Sequence, residues 1–123
     1  MNNEPILLKP AFKDYIWGGT KLRTEYGKEC DYDRIAESWE LSAHKDGQSI
    51  IASGKYSGKT LSEYIDICGR DILGTRGMAF EFFPILIKFI DAKSNLSVQV
   101  HPSDDYALKN EGEYGKTEVW YVL

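Results

Sequence analysis

The run Leu96-Ser97-Val98-Gln99-Val100-His101 alternates apolar and polar side chains, and that period constrains the fold more than any other feature. In a β-strand, residues two apart point to the same face. Ser97, Gln99 and His101 then share one face, with Val98 and Val100 on the other. A face made of a hydroxyl, an amide and an imidazole is costly to bury unless each polar group finds a partner. A metal ion or a polar ligand would supply one. The flanking sequence is also β-prone. Residues 82–90 (FFPILIKFI) form the most apolar run in the chain, interrupted by Lys88, and read as a core strand. Residues 91–95 are turn chemistry, so these two strands are expected to pair as a hairpin. Residues 116–123 are strand by composition, with Lys116, Glu118, Trp120 and Val122 on one face.

Upstream signals are more mixed. Residues 5–10 (PILLKP), bounded by prolines, suit an edge strand or an extended lead-in. Tyr15-Ile16-Trp17-Gly18-Gly19 reads as an aromatic plug followed by a glycine turn. Residues 20–26 have the makings of one helical turn. Residues 35–44 (IAESWELSAH) alternate without either face being purely apolar, which leaves Glu37, or Glu40 and His44, open to a functional or a locally hydrogen-bonded role. The bland reading is preferred. Asp46-Gly47 is a hairpin signal, with residues 48–53 as the return strand.

Gly58-Lys59-Thr60 has the tail of a phosphate-binding loop but lacks its first glycine and a leading apolar strand, so nucleotide binding is rejected. Thr60 instead reads as a helix N-cap, with Glu63 completing a capping box. Leu61, Tyr64, Ile65 and Cys68 fall on one helical face, and Gly69 ends it. Residues 71–81 read as a linker broken by Gly74 and Gly77. After Pro102, residues 103–110 form a short helix capped by Ser103.

Length and composition bound the class. The chain has 123 residues, enough for one domain with a modest core. Its 13% aromatic content, with eleven glycines and four prolines, fits a mostly-β sandwich or barrel with a few short helices. The net charge of −4 with scattered basic residues argues against a nucleic-acid partner. Mean hydropathy is −0.40, and no apolar run approaches the roughly 18 residues that span a bilayer, so no membrane partner is expected. The opening residues carry no secretory signal, making the cytoplasm the default location. Cys30 and Cys68 read as reduced structural thiols.

Gln99, His101 and Glu118 offer an amide oxygen, an imidazole nitrogen and a carboxylate from two neighbouring strands. That set fits a first-row divalent metal, zinc by default, with positions left for water or substrate. The competing reading is a hydrogen-bonded polar cluster in a sheet.

The motifs LSVQVHP and GKTEVWY resemble the metal-site signature of the type I mannose-6-phosphate isomerases, the phosphomannose isomerases. IAESWELSAH, YIWGG and FPILIKFIDA occur in the same order in the shorter bacterial members. The likeness runs along essentially the whole chain. It implies a cupin-like β-sandwich or jelly roll with small helical additions. It implies an activity that interconverts mannose 6-phosphate and fructose 6-phosphate with a bound zinc ion. By motif position Gln99, His101 and Glu118 match three of four zinc ligands, the fourth being a histidine from a later part of the family's chain. His44, the only other histidine here, lies outside the motif. Family members are longer, so residues 1–123 are expected to form the N-terminal part of such an enzyme, truncated at the C-terminus and inactive alone. A non-catalytic cupin-like fragment that binds metal or sugar is the alternative.

Aldose–ketose exchange needs a base for the C2 proton, an acid at C1 of the cis-enediol, and an electrophile for the enediolate oxygens, a task suited to zinc. Lys116, on the face of Glu118, is placed to contribute a proton or to bind an anionic oxygen. Ser97 is placed to hydrogen-bond the sugar phosphate. The final strand, exposed along its edge, is expected to drive self-association.

Overall fold

The computed structural model describes residues 4–123. Residues 1–3, part of the opening in which no leader is read, lie outside the described residues. In chain order the elements are β1 (Leu8–Lys9), β2 (Ala11–Lys13), α1 (Lys21–Thr24), β3 (Glu37–Leu41), β4 (Ile50–Ile51), α2 (Leu61–Cys68), α3 (Gly74–Gly77), β5 (Ile87–Ile90) and α4 (Asp104–Asn110). The sheets are antiparallel and the helices short, the class expected from the sequence.

β3 is the centre of a three-stranded sheet, with β2 on one side and β5 on the other. Ala11 faces Trp39 and Lys13 faces Glu37, while Trp39 faces Lys88 and Glu37 faces Ile90. Within the 35–44 segment, ambiguous by pattern, residues 37–41 are strand, with both edges taken. Behind it Ile35 and Ala36 are fully buried. A side chain at Gly18 would fall 2.5 Å from the Ala36 Cβ, so the turn at 18–19 needs glycine for space. Tyr15 and Ile16, expected to plug the core, are exposed, and Trp17 is half-buried.

A second cluster forms where β1 pairs with β4 and α2 packs over them. Ile51, Leu61 and Ile65 are buried there. Leu61 and Ile65 are four apart, the spacing that places both on one helical face. The Thr60 hydroxyl accepts from the Glu63 N–H, and the Glu63 carboxylate accepts from the Thr60 N–H at 2.8 Å, so the expected capping box is complete. Gly69 ends α2 at φ 95°, a left-handed conformation that favours glycine.

Four expectations need correction. The turn at Asp46-Gly47 forms, with Gly47 N–H donating to the His44 carbonyl, but the return strand pairs with β1 rather than β3. Buried Ser42 and Ser49 divert the chain there. The Ser49 hydroxyl accepts from the Ser42 N–H and contacts the Trp39 and Glu40 carbonyl oxygens. The 71–81 linker is not irregular throughout: a 3-10 turn (Arg70–Leu73) and α3 lie at its start. Of residues 82–90, only 87–90 are strand, and they pair with β3 instead of forming a hairpin with 96–101. Finally, neither 96–101 nor 116–123 joins a ladder.

The last two share a cause. On leaving β5 the chain is drawn to the 17–19 turn: Lys93 and Ser94 N–H both donate to the Trp17 carbonyl, and Asp91 accepts from the Lys21 N–H at 2.8 Å. Beyond these bonds the chain does not pair along β5. Val98 and Val100 are left 98% and 90% exposed.

Candidate metal centre

The polar residues of 95–118 are assembled by a helix and a turn rather than by a ladder. His101 leads into Pro102, where the chain leaves its alternating run. The Ser103 hydroxyl accepts from the Tyr106 N–H and caps α4, whose first turn carries Asp104 and Asp105. The chain turns at Gly112, φ 68°, and comes back past the start of the helix. There the Lys116 N–H donates to the Pro102 carbonyl at 3.2 Å. This return brings His101 and Glu118, 17 residues apart, to 2.8 Å between Nε2 and Oε2.

Glu118 is the hub. Its Oε1 meets the Lys116 ammonium at 2.8 Å, and its Oε2 accepts from the Trp120 indole N–H at 3.1 Å. The Lys116 hydrogen bond is the main cause holding the carboxyl down to about 2, with Trp120, the Lys116 charge and His101 adding to it against partial burial. Glu118 is thus an anion at any physiological pH. Gln99 Nε2 lies 3.5 Å from the Ser97 hydroxyl. Glu118 thus contacts the residue two before it and the residue two after it, and Ser97 contacts Gln99, although neither run is in a sheet. Ser97, Gln99, His101, Lys116 and Glu118 all line one open cleft of about 2080 Å³.

Glu37, Trp39, His44 and Lys88 line the same cleft, and of these the sequence leaves Glu37 and His44 open to a functional role while preferring a locally hydrogen-bonded one. On β3, Glu37 and Trp39 point the same way, and the Trp39 indole N–H donates to Glu37 at 2.7 Å. Lys88, across on β5, places its ammonium 3.1 and 3.2 Å from the two Glu37 oxygens. Lys13 lies 4.5 Å from the Trp39 ring centre and donates to the Asp46 carbonyl. His44 stands edge-on to the same ring. The signal was present: a lone lysine in an apolar run and a glutamate two before a tryptophan are each odd alone. They explain each other only once β3 and β5 are known to pair. Glu40, on the other face, is satisfied by the Ser38 hydroxyl and Lys28, each at 2.7 Å.

Among the described residues no three of His, Cys, Asp and Glu are grouped to hold a metal. His101 and Glu118 bring two donors together, and Gln99, whose amide oxygen would be a third, lines the same cleft. An imidazole nitrogen, a carboxylate and an amide oxygen suit a borderline divalent ion such as zinc. Without metal, the His101 and Glu118 atoms that would bind it contact each other, and when Nε2 carries the proton it donates to the carboxylate. A metal held there would replace that contact, with the His101 ring proton on Nδ1 and Nε2 free to ligate. The residues fit the group.

Residues 6–117 match the family "Phosphomannose isomerase type I, catalytic domain". The chain belongs to that family. It is 44% identical over its whole length to the mannose-6-phosphate isomerase ManA of Bacillus subtilis, and 43% identical over 98% of its length to the mannose-6-phosphate isomerase of Streptococcus mutans. A crystal structure of the mannose 6-phosphate isomerase from Bacillus subtilis superimposes with a TM-score of 0.78 at 41% identity, covering 92% of this chain and 35% of that one. The phosphomannose isomerase resemblance carried by QVHP and GKTE is therefore sound. The chain spans 38% of the length of ManA and 37% of the Streptococcus relative. No helix among the described residues is long and apolar enough to cross a membrane.

Proposed function

We propose that Gln99, His101 and Glu118 are three ligands of a zinc site serving the interconversion of mannose 6-phosphate and fructose 6-phosphate. The observation that supports this is the 2.8 Å approach of His101 to Glu118, which joins the QVHP and GKTE motifs in a chain of this family. The reaction moves hydrogen between C2 and C1 through a cis-enediol, with a base and an acid exchanging the protons. Glu118, held ionised, is a ligand or acceptor and not a proton source near neutrality. Lys116 brings a positive charge beside it, placed to hold an anionic sugar oxygen or to pass a proton. The Ser97 hydroxyl, next to Gln99, is placed to hydrogen-bond the sugar phosphate. Zinc, when bound, would supply Lewis-acid stabilisation of the charge that develops on the sugar oxygens.

The test has two readouts. Zinc binding to the 123-residue chain is measured by calorimetry, and fructose 6-phosphate is measured through a coupled dehydrogenase. Zinc uptake that is lost in His101→Ala supports the metal reading; no uptake, or uptake indifferent to the substitution, sinks it. Turnover is expected to be negligible, because only three donors are present and the fourth histidine implied by the family has no counterpart in this chain. The second reading, a non-catalytic fragment that binds metal or sugar, is favoured by that donor count, and would fall if the chain alone turned over substrate. Self-association through residues 117–123 belongs to the same picture: Val119, Tyr121 and Val122 are each at least 85% exposed. Light scattering is expected to show mass rising with concentration. A monomer at every concentration would remove that surface from the account.

A further inference from the structure

We propose that Gly115 and Asp104 act as a latch that positions Glu118 against His101, an inference that takes those two as site residues on the reading above. Residues 95–101 and 117–123 belong to no ladder, so sheet pairing does not set the distance between them. Among the described residues, the backbone bond joining the two runs is Lys116 N–H to the Pro102 carbonyl. The preceding N–H, that of Gly115, donates to the Asp104 carboxylate at 2.8 Å. Two successive N–H groups therefore grip the chain just past His101, three and two residues before Glu118.

Gly115 is glycine for space and not for its backbone angle, since its φ is not in the left-handed range. A Cβ there would lie 2.5 Å from the Ser103 carbonyl carbon and 2.6 Å from the Asp104 nitrogen, and would also press on the Pro102 oxygen. These are backbone atoms at the start of α4 and cannot rotate away. The far side of the same turn is fixed too. The Tyr114 hydroxyl accepts from the Glu81 N–H at 2.6 Å, and the Phe80 and Phe82 rings meet the Tyr114 ring edge-on. An alanine at 115 must push the returning chain off α4, and Lys116 and Glu118 move with it. Displacements of about 1 Å are enough to disable a positioned group.

The experiment compares Gly115→Ala, Asp104→Ala and Asp104→Asn with the parent chain. Asparagine keeps an oxygen acceptor for Gly115 while losing the charge, as alanine does, so the two Asp104 variants separate the hydrogen bond from the helix-dipole effect. The first readout needs no metal: the nuclear Overhauser contact between the His101 ring and the Glu118 side chain. It is expected in the parent and in Asp104→Asn, and lost in Gly115→Ala and Asp104→Ala. The second is zinc affinity, expected to fall about 10–100-fold in the same two variants. Absence of the contact in the parent overturns the latch, as does its persistence in both disrupted variants or its loss in Asp104→Asn. If Gly115→Ala unfolds, the Asp104 pair decides. If the parent takes up no zinc, the metal reading fails while the contact comparison still judges the latch.

Discussion

Glu37 and Glu118 face one cleft with nearly the same set of partners. Each accepts from the indole of a tryptophan two residues later, Trp39 at 2.7 Å and Trp120 at 3.1 Å, and each pairs with a lysine. The frameworks differ completely. Glu37 lies on β3 between two ladders, its side chain 8% exposed, with Lys88 at 19%. Glu118 lies on a run with no ladder, its side chain 22% exposed and Lys116 at 44%. The same local chemistry is thus built once into a sheet and once onto a turn. A charge pair fixed by a sheet is costly to break, because either partner left alone would be buried and unpaired. One held by a turn has room to exchange partners, as binding a metal would require.

The strongest way to break the comparison is Glu37→Ala. It would strand the Lys88 ammonium and the Trp39 N–H, and the expected cost is about 3–5 kcal/mol. Urea unfolding at neutral pH measures it. A loss under about 1 kcal/mol would mean that Glu37 is held no more firmly than a surface ion pair.

Thr60→Ala sharpens the comparison from beneath the sheet, where α2 closes the cluster behind β4. Losing the cap is expected to cost about 1 kcal/mol with an unchanged urea slope. The box also sets a pH dependence. Hydrogen bonds from the Thr60 backbone and side chain lower the Glu63 pKa. Its contribution is therefore complete above the ordinary carboxylate range and lost as pH falls through the lowered folded value. Thermal melts from pH 6 downward should show the parent losing stability faster than Thr60→Ala. Parallel curves would mean that the box adds nothing.

What the sequence made legible divides along the same line. Local signals held. The Thr60 cap, the Gly69 stop, the Ser103 cap and the Lys21–Thr24 turn depend on neighbours within a few residues, and the chain forms them. Of the alternation at 96–101 and 116–120, the structure keeps the contacts Ser97–Gln99, Lys116–Glu118 and Glu118–Trp120 but not the strands. Strand pairing did not follow from it. Which edge a strand meets is decided by distant groups, here the Trp17 carbonyl drawing in residues 93–94 and the buried serines turning β4 toward β1. That His101 and Glu118 meet follows from two motifs the sequence singles out, and their role as ligands stands with the proposal above. The Glu37–Lys88 pair could not be read, because its members are 51 residues apart and meet only through sheet register.

Glu118 gives the smallest effect on stability and the most direct reading of the site. Its Lys116 pair is part-exposed, so Glu118→Gln is expected to change folding stability by less than about 1 kcal/mol. Its titration is another matter. The Lys116 hydrogen bond, with Trp120 and His101, holds its folded pKa at about 2, below the ordinary carboxylate value. With the folded value depressed, the favourable contribution is complete above pH about 5 and disappears as pH falls toward 2. A carbon-detected titration of the Glu118 carboxyl should show a midpoint near 2, moving up in Lys116→Met, where the main hydrogen-bond donor is gone. A midpoint near 4 in the parent would mean that the turn leaves Glu118 free in water, and that the two carboxylates share a spacing but not an environment.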